Sequence, residues 1–223
     1  MQFYDQLVSQ TSSSRDSLLS IPIIQGCLNG QVSLYSYAVF LKEAYHHVRH
    51  TVPLLKACRQ ALSADHSWVI PAIDEYIEEE AGHDEWILDD LQACGINQQT
   101  IREGRSGDAV EIMVAFAYDL IHRKNPMGFF GMVHVLEGTS VALALMAADQ
   151  IQSRLGLPDA AFSYLRSHGT LDKEHVNHFK DLMNRIENPT DQSDIIHSAH
   201  IFYRLYGNVF RELPLPEDTG VTA

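Results

Sequence analysis

Apolar residues recur at intervals of three and four along most of this chain, and no persuasive alternating run of apolar and polar residues lies between tight hairpin signals. A helix that buries one face has a period of 3.6 residues, whereas a half-buried strand has a period of two. The pattern therefore predicts an all-α domain. The predicted helices cover residues 2–19, 22–29, 33–60, 67–94, 98–103, 108–123, 126–154, 158–187 and 192–212.

Residues that cap, end or break helices stand at several of these boundaries. Ser33 and Asp108 are of the types that cap helix N-termini, and Gly156 is of the type that ends a helix. Pro53 lies inside the stretch 33–60, where it is expected to kink or divide the helix because proline lacks a backbone N–H.

The length of the chain predicts a single domain. A chain of 223 residues is long enough to bury one sizeable core, and no linker rich in proline, glycine or serine divides it. We expect one helical domain over residues 1–212. Residues 213–223 are rich in proline and polar groups, have little to bury, and are expected to form a C-terminal tail.

The charge balance excludes one broad class of partner. The chain carries 29 Asp and Glu against 16 Lys and Arg, giving a formal net charge of -13. A phosphate backbone is bound by clustered cations, so the sequence predicts that nucleic acid is not a partner.

The cysteines and the apolar runs indicate the compartment. Three cysteines, odd in number and widely spaced, suggest neither a disulfide framework nor a zinc site, which fits the reducing cytoplasm. The N-terminus lacks the basic start and apolar stretch of a secretory signal. The longest apolar run, Val141 to Ala148, is too short to cross a bilayer, so we expect a soluble protein without a membrane partner.

Carboxylates and histidines recur at helical spacing. Residues three, four and seven apart share one face of a helix, so His168, Asp172 and His175 point the same way. Glu80 and His83 repeat the carboxylate-x-x-histidine spacing on another predicted helix. An isolated pair of this kind is usually a solvated surface pair, but helical bundles that hold two iron or manganese ions use several such pairs together with extra glutamates.

Glu137 is the natural extra carboxylate, and His134 lies one turn before it. It lies in "GMVHVLEGTSVALALMAA", where nearly every neighbour is apolar or small. A buried carboxylate is costly unless metal ions or a protonated partner compensate its charge. We therefore predict a buried site for two metal ions, iron or manganese rather than a thiolate-preferring metal. Its predicted ligands are three carboxylates and three imidazoles: Glu80, His83, Glu137, His168, Asp172 and His175.

Further residues could surround the site or touch a substrate. Glu43, His47 and His50 share one stripe of a predicted helix, which faces either the pocket or solvent. Glu79 is an alternative to Glu80 as the partner of His83, and the sequence leaves that choice open. Two more candidates are Tyr76, one of several tyrosines that could supply a pocket phenol, and His178, which lies off the stripe of His168 and is expected beside the site or at the surface.

Three glycines interrupt an otherwise apolar predicted helix at positions 128, 131 and 138. Each costs about 0.5–1 kcal/mol relative to alanine within a helix. Close helix packing is the ordinary explanation and a cavity beside Glu137 is the functional one; the two are compatible.

At these residues the chain resembles the haem-oxygenase-like superfamily, near its TenA-like and pyrroloquinoline quinone synthase branch. "VLEGTSVALA" and "HGTLDKEHVNHF" resemble its two best-marked segments, and "EAYHHVRHTVPLL" resembles its early pocket-lining helix. The resemblance implies a compact bundle of about seven or eight helices with a central cavity. Its diiron oxidases carry a Glu and His on one helix, a Glu on a later one, and His-x-x-x-Asp-x-x-His near the end, which implies the same six ligands.

The resemblance also implies a function. It implies a non-haem iron oxidase or oxygenase that activates O2 to oxidise a small organic substrate, and a homodimer. It does not name the substrate. The alternatives are a metal-free TenA-like or quinone-synthase-like enzyme that performs acid and base chemistry on a heterocycle, and a non-enzymatic protein that binds a metal or a small ligand.

Overall fold

The computed structural model of the chain describes residues 1–215, except for the side chains of residues 168–175; residues 216–223 lie outside it. The described part contains eleven α-helices and three short 3-10 segments, and no β-strand. The prediction of an all-α fold is therefore confirmed. The helices are α1 (Phe3–Leu19), α2 (Pro22–Leu28), α3 (Leu34–Val48), α4 (Thr51–Ala61), α5 (Ile70–Glu79), α6 (His83–Ala93), α7 (Gln98–Glu103), α8 (Asp108–Arg123), α9 (Phe130–Leu155), α10 (Ser163–Asn184) and α11 (Pro189–Arg211).

Two of the nine predicted helices are each divided, which gives the eleven described helices, more than the seven or eight that the resemblance implies. The stretch 33–60 breaks at Arg49 and His50 into α3 and α4. Pro53 is the third residue of α4, where its missing N–H breaks no helical hydrogen bond. The stretch 67–94 becomes a 3-10 segment, α5 and α6.

A turn separates α5 from α6 at the predicted ligands. Glu80 is the C-terminal cap of α5 and His83 is the first residue of α6. Between them, Gly82 has a φ of 89°, in the left-handed region that glycine adopts without a steric penalty. Glu80 and His83 therefore lie on either side of a turn, and the expectation that they share one continuous helix is wrong.

The caps at other helix ends are formed partly by local side chains and partly by distant ones. The Ser33 hydroxyl accepts the backbone N–H of Ser36 at 3.0 Å, as its cap position predicts. Asp108 is the first residue of α8 and not its cap, because the cap is Gly107. The backbone N–H of Gly107 donates to Glu43 Oε2 at 2.8 Å, so a carboxylate from α3 satisfies the start of α8.

Helix α9 is the central element that positions the site. It packs against α10 and α11, and it also contacts α2. At Gly131 it approaches α11 so closely that an added Cβ would lie 2.1 Å from Ser198 Oγ. The Ser198 hydroxyl donates to the Gly128 carbonyl at 2.6 Å, which joins α11 to the 3-10 segment that precedes α9.

Within the described residues, one stretch has the length and composition to cross a membrane, Pro126–Leu155, whose most apolar window has a mean hydropathy of 1.6. Half of that window is buried inside the protein. The apolar composition of this stretch is therefore explained by its burial against neighbouring helices of the bundle.

The chain remains packed after α11 ends. Leu213 is buried, and the Ser36 hydroxyl donates to the Pro214 carbonyl at 2.7 Å. The predicted tail thus begins with residues that are docked beside the start of α3, whereas its later part, 216–223, lies outside the described residues.

Candidate metal centre

Glu137 brings a carboxylate into the interior from the middle of α9. Its Oε2 atom is shielded from solvent, and the side chain lines a cavity of about 190 Å³. Tyr76 of α5 lies beside it. Burial is the main cause that raises the pKa of Tyr76 above its usual value, followed by the charge of Glu137 and a polar contact with its carboxylate.

Glu80 and His83 form a pair at the turn between α5 and α6. The His83 Nδ1 and Glu80 Oε2 atoms are 3.1 Å apart, and His83 is buried. The His83 ring also stacks on Trp86, with ring centroids 4.1 Å apart. The carboxylate and the indole together fix the orientation of the imidazole, which is what a ligand or a proton carrier needs.

The same cavity joins these residues. Glu80, Glu137 and Tyr76 all line it, and Glu80 also contributes to the raised pKa of Tyr76. Glu79 is exposed, whereas Glu80 is largely buried, so the geometry favours Glu80 as the partner of His83. The structure therefore places Glu80, Glu137 and Tyr76 on one cavity, and His83 is linked to this cavity through its pair with Glu80.

The other three predicted ligands belong to α10. His168, Asp172 and His175 have side chains outside the described part of the structure. Among the side chains that are described, no group of three or more His, Cys, Asp or Glu could hold a metal ion. The complete predicted set consequently stays a prediction.

The wall of the main cavity is mostly apolar. Helix α9 contributes Met132, Val133, Leu136 and Leu143 to it, and His47 of α3 contributes an imidazole. Its described lining residues include no lysine or arginine. Such a wall favours a largely apolar ligand.

Four of the residues considered as neighbours of the metal site do not line the main cavity. Glu43 is buried but caps α8 and contacts Lys42 Nζ at 3.1 Å. His50 is the residue before the start of α4 and packs edge-on against Tyr118.

The remaining two candidates face outward. His178 is 64% exposed, and its Nδ1 lies 3.7 Å from Glu75 Oε1. Glu79 is exposed too. Helical spacing alone did not reveal which face of α3 or α10 was buried. Glu43 and His50 do not line the pocket, which corrects that alternative for them, and His178 lies at the surface, one of its two expected positions. Tyr76 and His47 do line the pocket.

Sequence reasoning missed a second cavity that shares Glu137 with the first. Its polar lining comes chiefly from α1, namely Tyr4, Thr11 and Arg15, with Tyr203 from α11. His134 also belongs to this cavity, where its Nε2 lies 3.2 Å from Thr11 Oγ1. The one available signal was the spacing of Leu7, Thr11 and Leu18 in α1, which puts Thr11 on the buried stripe.

The folds of solved structures resemble this one closely. A domain of unknown function with a haem oxygenase-like fold from Shewanella denitrificans has a TM-score of 0.86 and 19% identity, covering 94% of this chain and 91% of its own. A TenA homologue from Pseudomonas syringae pv. tomato has a TM-score of 0.80 and 9% identity, with coverages of 95% and 92%. Haem oxygenase-1 from the cyanobacterium Synechocystis, solved in complex with haem, has a TM-score of 0.74 and 16% identity, with coverages of 96% and 92%. The haem oxygenase-like, TenA-like fold predicted from the sequence is thereby confirmed.

The sequence comparisons identify the family. No curated protein matches the chain significantly. Residues 38–207, which include all six predicted ligands, match the family described as iron-containing redox enzymes. The chain therefore belongs to the family of iron-containing redox enzymes and has the haem oxygenase-like fold.

Proposed function

We propose that this protein is a non-haem iron oxidase or oxygenase that holds two iron ions between α5, α6, α9 and α10 and oxidises a small organic substrate with O2. The observation that carries the proposal is Glu137, a carboxylate in an apolar helix, which lines one cavity together with the Glu80 carboxylate that is paired with His83. The family supports the involvement of iron.

The donor atoms suit this metal. Carboxylate oxygens and imidazole nitrogens are the donors of non-haem iron and manganese sites. Cys27 lines the main cavity, but no described cysteine belongs to a group of three or more metal-ligating side chains. Glu80, His83 and Glu137 are too few for two ions. By sequence, His168, Asp172 and His175 of α10 would complete the set, and α10 packs directly against α9 and α6.

When bound, iron would supply the redox chemistry, in this proposal with O2 as the oxidant. The protein's residues have separate tasks. Glu80 and Glu137 would neutralise the positive charge of the ions, and Glu80 and Trp86 would hold the His83 ring in place. Tyr76 presents a protonated hydroxyl beside Glu137, since burial disfavours its anion.

The cavity wall supports a substrate class, and the sequence supports a cellular location and an oligomeric state for the proposal. A cavity with an apolar wall and no described lysine or arginine fits a small, largely apolar organic molecule. We propose that it acts in the cytoplasm as a homodimer and, given its net charge of -13, without a nucleic-acid or membrane partner.

Iron content tests the proposal. Protein reconstituted anaerobically with Fe(II) and freed of unbound metal should retain about two irons per chain, as in other two-metal carboxylate bundles. Exposure to O2 should then produce a new optical band. Elemental analysis distinguishes iron from manganese when both are offered.

Matched variants show whether these residues bind the metal. We expect Glu137→Gln and His83→Ala to lower iron affinity by ~10-fold or more while circular dichroism stays unchanged. His175→Ala tests the contribution of α10 in the same way. His197→Ala is the control, because His197 is exposed on α11. Wild-type iron content in both Glu137→Gln and His83→Ala would refute the proposed site.

A second candidate function is metal-free acid and base chemistry on a bound heterocycle. The observation that favours it is that two pairs which can carry protons, Glu80 with His83 and Tyr76 with Glu137, adjoin one cavity. Turnover that survives prolonged dialysis against a strong chelator would support this function over the oxidase.

A further inference from the structure

The second cavity lies along a different face of α9 from the first. His134, Gly138 and Val141 line the second cavity, whereas the first is lined by Val133, Leu136 and Ser140. Glu137 lies between these faces and lines both. The second cavity also has a volume of about 190 Å³, which is room for a ligand and not only for one ordered water.

Arg15 is the polar group in this cavity whose hydrogen-bonding capacity is unused. Its Nε atom is buried and has no hydrogen-bond partner. The distance from Arg15 Nη2 to Asp16 Oδ1 is 3.6 Å, and the Asp16 side chain is 69% exposed. A solvent-exposed pair at that distance is weak, so the guanidinium retains donors for another group.

Glu137 adds a carboxylate to this cavity, and the remaining polar groups add donors but no positive charge. The Thr11 hydroxyl donates to the Leu7 carbonyl at 2.7 Å, so His134 Nε2 is the atom that donates to Thr11 Oγ1. Burial, with the nearby charge of Arg15, lowers the pKa of His134 to about 4, which leaves the ring neutral at pH 7. Among the described lining residues, Arg15 is therefore the one cation.

Access to this cavity is open from the Arg15 side. The Arg15 side chain is 44% exposed although its Nε is buried, so the guanidinium spans the boundary between solvent and the cavity. Beyond it, Tyr203 supplies a hydroxyl and Val8 and Phe179 supply apolar surface.

We propose that this cavity binds a small oxyanion, the carboxylate of an organic acid or an inorganic oxyanion, on Arg15. A planar guanidinium with free N–H groups matches two oxygens of such an anion. The Tyr203 hydroxyl adds a neutral donor, and the apolar wall accommodates a short carbon chain. Glu137 lines the same cavity and would repel an anion, so the charged end of the ligand is placed at Arg15.

Binding of acetate is the test. In protein labelled with 15N-arginine, acetate should shift the Arg15 Nε–H resonance saturably, and sodium chloride at equal ionic strength should not. Inorganic phosphate is titrated separately. Tighter binding of acetate would indicate an organic acid as the ligand, and tighter binding of phosphate would indicate an inorganic anion. Saturable binding of either supports the site; equal shifts with chloride overturn it.

Variants locate the anion. Arg15→Gln should weaken acetate binding by ~10-fold or more, since it removes a charge-assisted contact. The matched control is Arg123→Gln, an exposed arginine that also pairs with an aspartate. Tyr203→Phe gives an independent test if Arg15→Gln misfolds, with an expected loss of ~5-fold. Acetate affinity that is unchanged in Arg15→Gln and Tyr203→Phe would overturn the proposal, and unchanged iron content in Arg15→Gln would show that the two sites are separate.

Discussion

A carboxylate in the middle of an apolar helix constrains the residues around it. Glu137 has Tyr76 beside it and two cavities along its flanks. Because an ionised group in such a place is costly without polar neighbours, substitutions of these neighbours should act on what Glu137 binds more than on the fold.

Tyr76→Phe isolates one such neighbour. The variant keeps the buried ring and removes the hydroxyl that contacts Glu137. We expect iron affinity to fall by ~10-fold, as is usual for groups that support metal ligands. The free energy of unfolding should change by less than ~1.5 kcal/mol.

Competition with a chromophoric chelator measures this affinity. Tyr118→Phe is the control, since Tyr118 does not line either cavity. An affinity equal to that of the wild type in Tyr76→Phe would mean that the hydroxyl does not support the ligand.

His134 makes stability depend on pH. The pKa of His134 is about 4 in the folded protein, against 6.5 for an ordinary histidine. Between pH 4 and pH 6.5, His134 is therefore protonated in the unfolded chain and neutral in the folded protein. Stability is therefore fully present above pH 6.5 and falls as the pH falls toward 4. From pH 7.5 to 5 this contributes a loss of ~2 kcal/mol.

Urea unfolding at the two pH values measures the effect. His134→Gln cannot be protonated and should lose ~2 kcal/mol less than the wild type over the same interval. His197→Gln, at an exposed position, should keep the pH dependence of the wild type. Identical pH dependence in His134→Gln and the wild type would contradict the depressed pKa.

The chemical types at the site were predictable from the sequence, and their partners were not. Glu137 was conspicuous because its neighbours along the chain are apolar. Arg15 and Thr11 were invisible because their contacts come from packing: Thr11 meets His134, which lies 123 positions away. No local period encodes such a contact.

At the scale of elements, the glycines of α9 differ in what they do. Gly131 permits close packing, since an added Cβ would lie 2.6 Å from the Ala199 backbone nitrogen and 2.7 Å from the Ile195 carbonyl oxygen. At Gly138, no described atom from outside its own stretch of helix lies within 4 Å of that position, and the residue adjoins the second cavity. Both explanations inferred from the sequence thus hold, each at a different glycine.

Alanine at these two positions should shift stability in opposite directions. Gly131→Ala forces α9 away from α11 and should lower the free energy of unfolding by ~3 kcal/mol. Gly138→Ala should raise it by ~0.5–1 kcal/mol, since alanine is the better helix former. Thermal or chemical unfolding measures both, and a loss in Gly138→Ala as large as that in Gly131→Ala would contradict the difference in packing.

The types of the helices were predictable from their period, but their divisions were only partly so. The break at His50 lies ahead of Pro53, which signalled it. The break at Gly82 has a glycine as its signal, but a single glycine is also tolerated within helices. Tertiary packing decides between the two outcomes.

At the scale of the whole molecule, the segment after α11 completes the main cavity. Leu213 lines that cavity and is 7% exposed, whereas Leu215 is 43% exposed. The segment after α11 therefore closes a space whose other walls come from α2, α3, α4, α5, α9, α10 and α11.

Leu213→Ala should show this closure. We expect the free energy of unfolding to fall by ~2–3 kcal/mol, as for other buried leucines beside a cavity. Binding of a hydrophobic dye should increase because the cavity becomes more open. Leu215→Ala is the control and should change stability by less than ~0.5 kcal/mol. A Leu213→Ala protein as stable as Leu215→Ala would mean that the segment does not seal the cavity.

The turn at residues 80–82 has a consequence for the recognition of related chains. One residue inserted within a helix rotates everything after it by ~100°, whereas a turn absorbs the insertion and leaves both helix faces packed. Insertions in this turn can consequently increase the number of residues between the carboxylate and the imidazole while the two side chains stay in contact. Searches that require a fixed glutamate-to-histidine interval will overlook proteins that build the same pair.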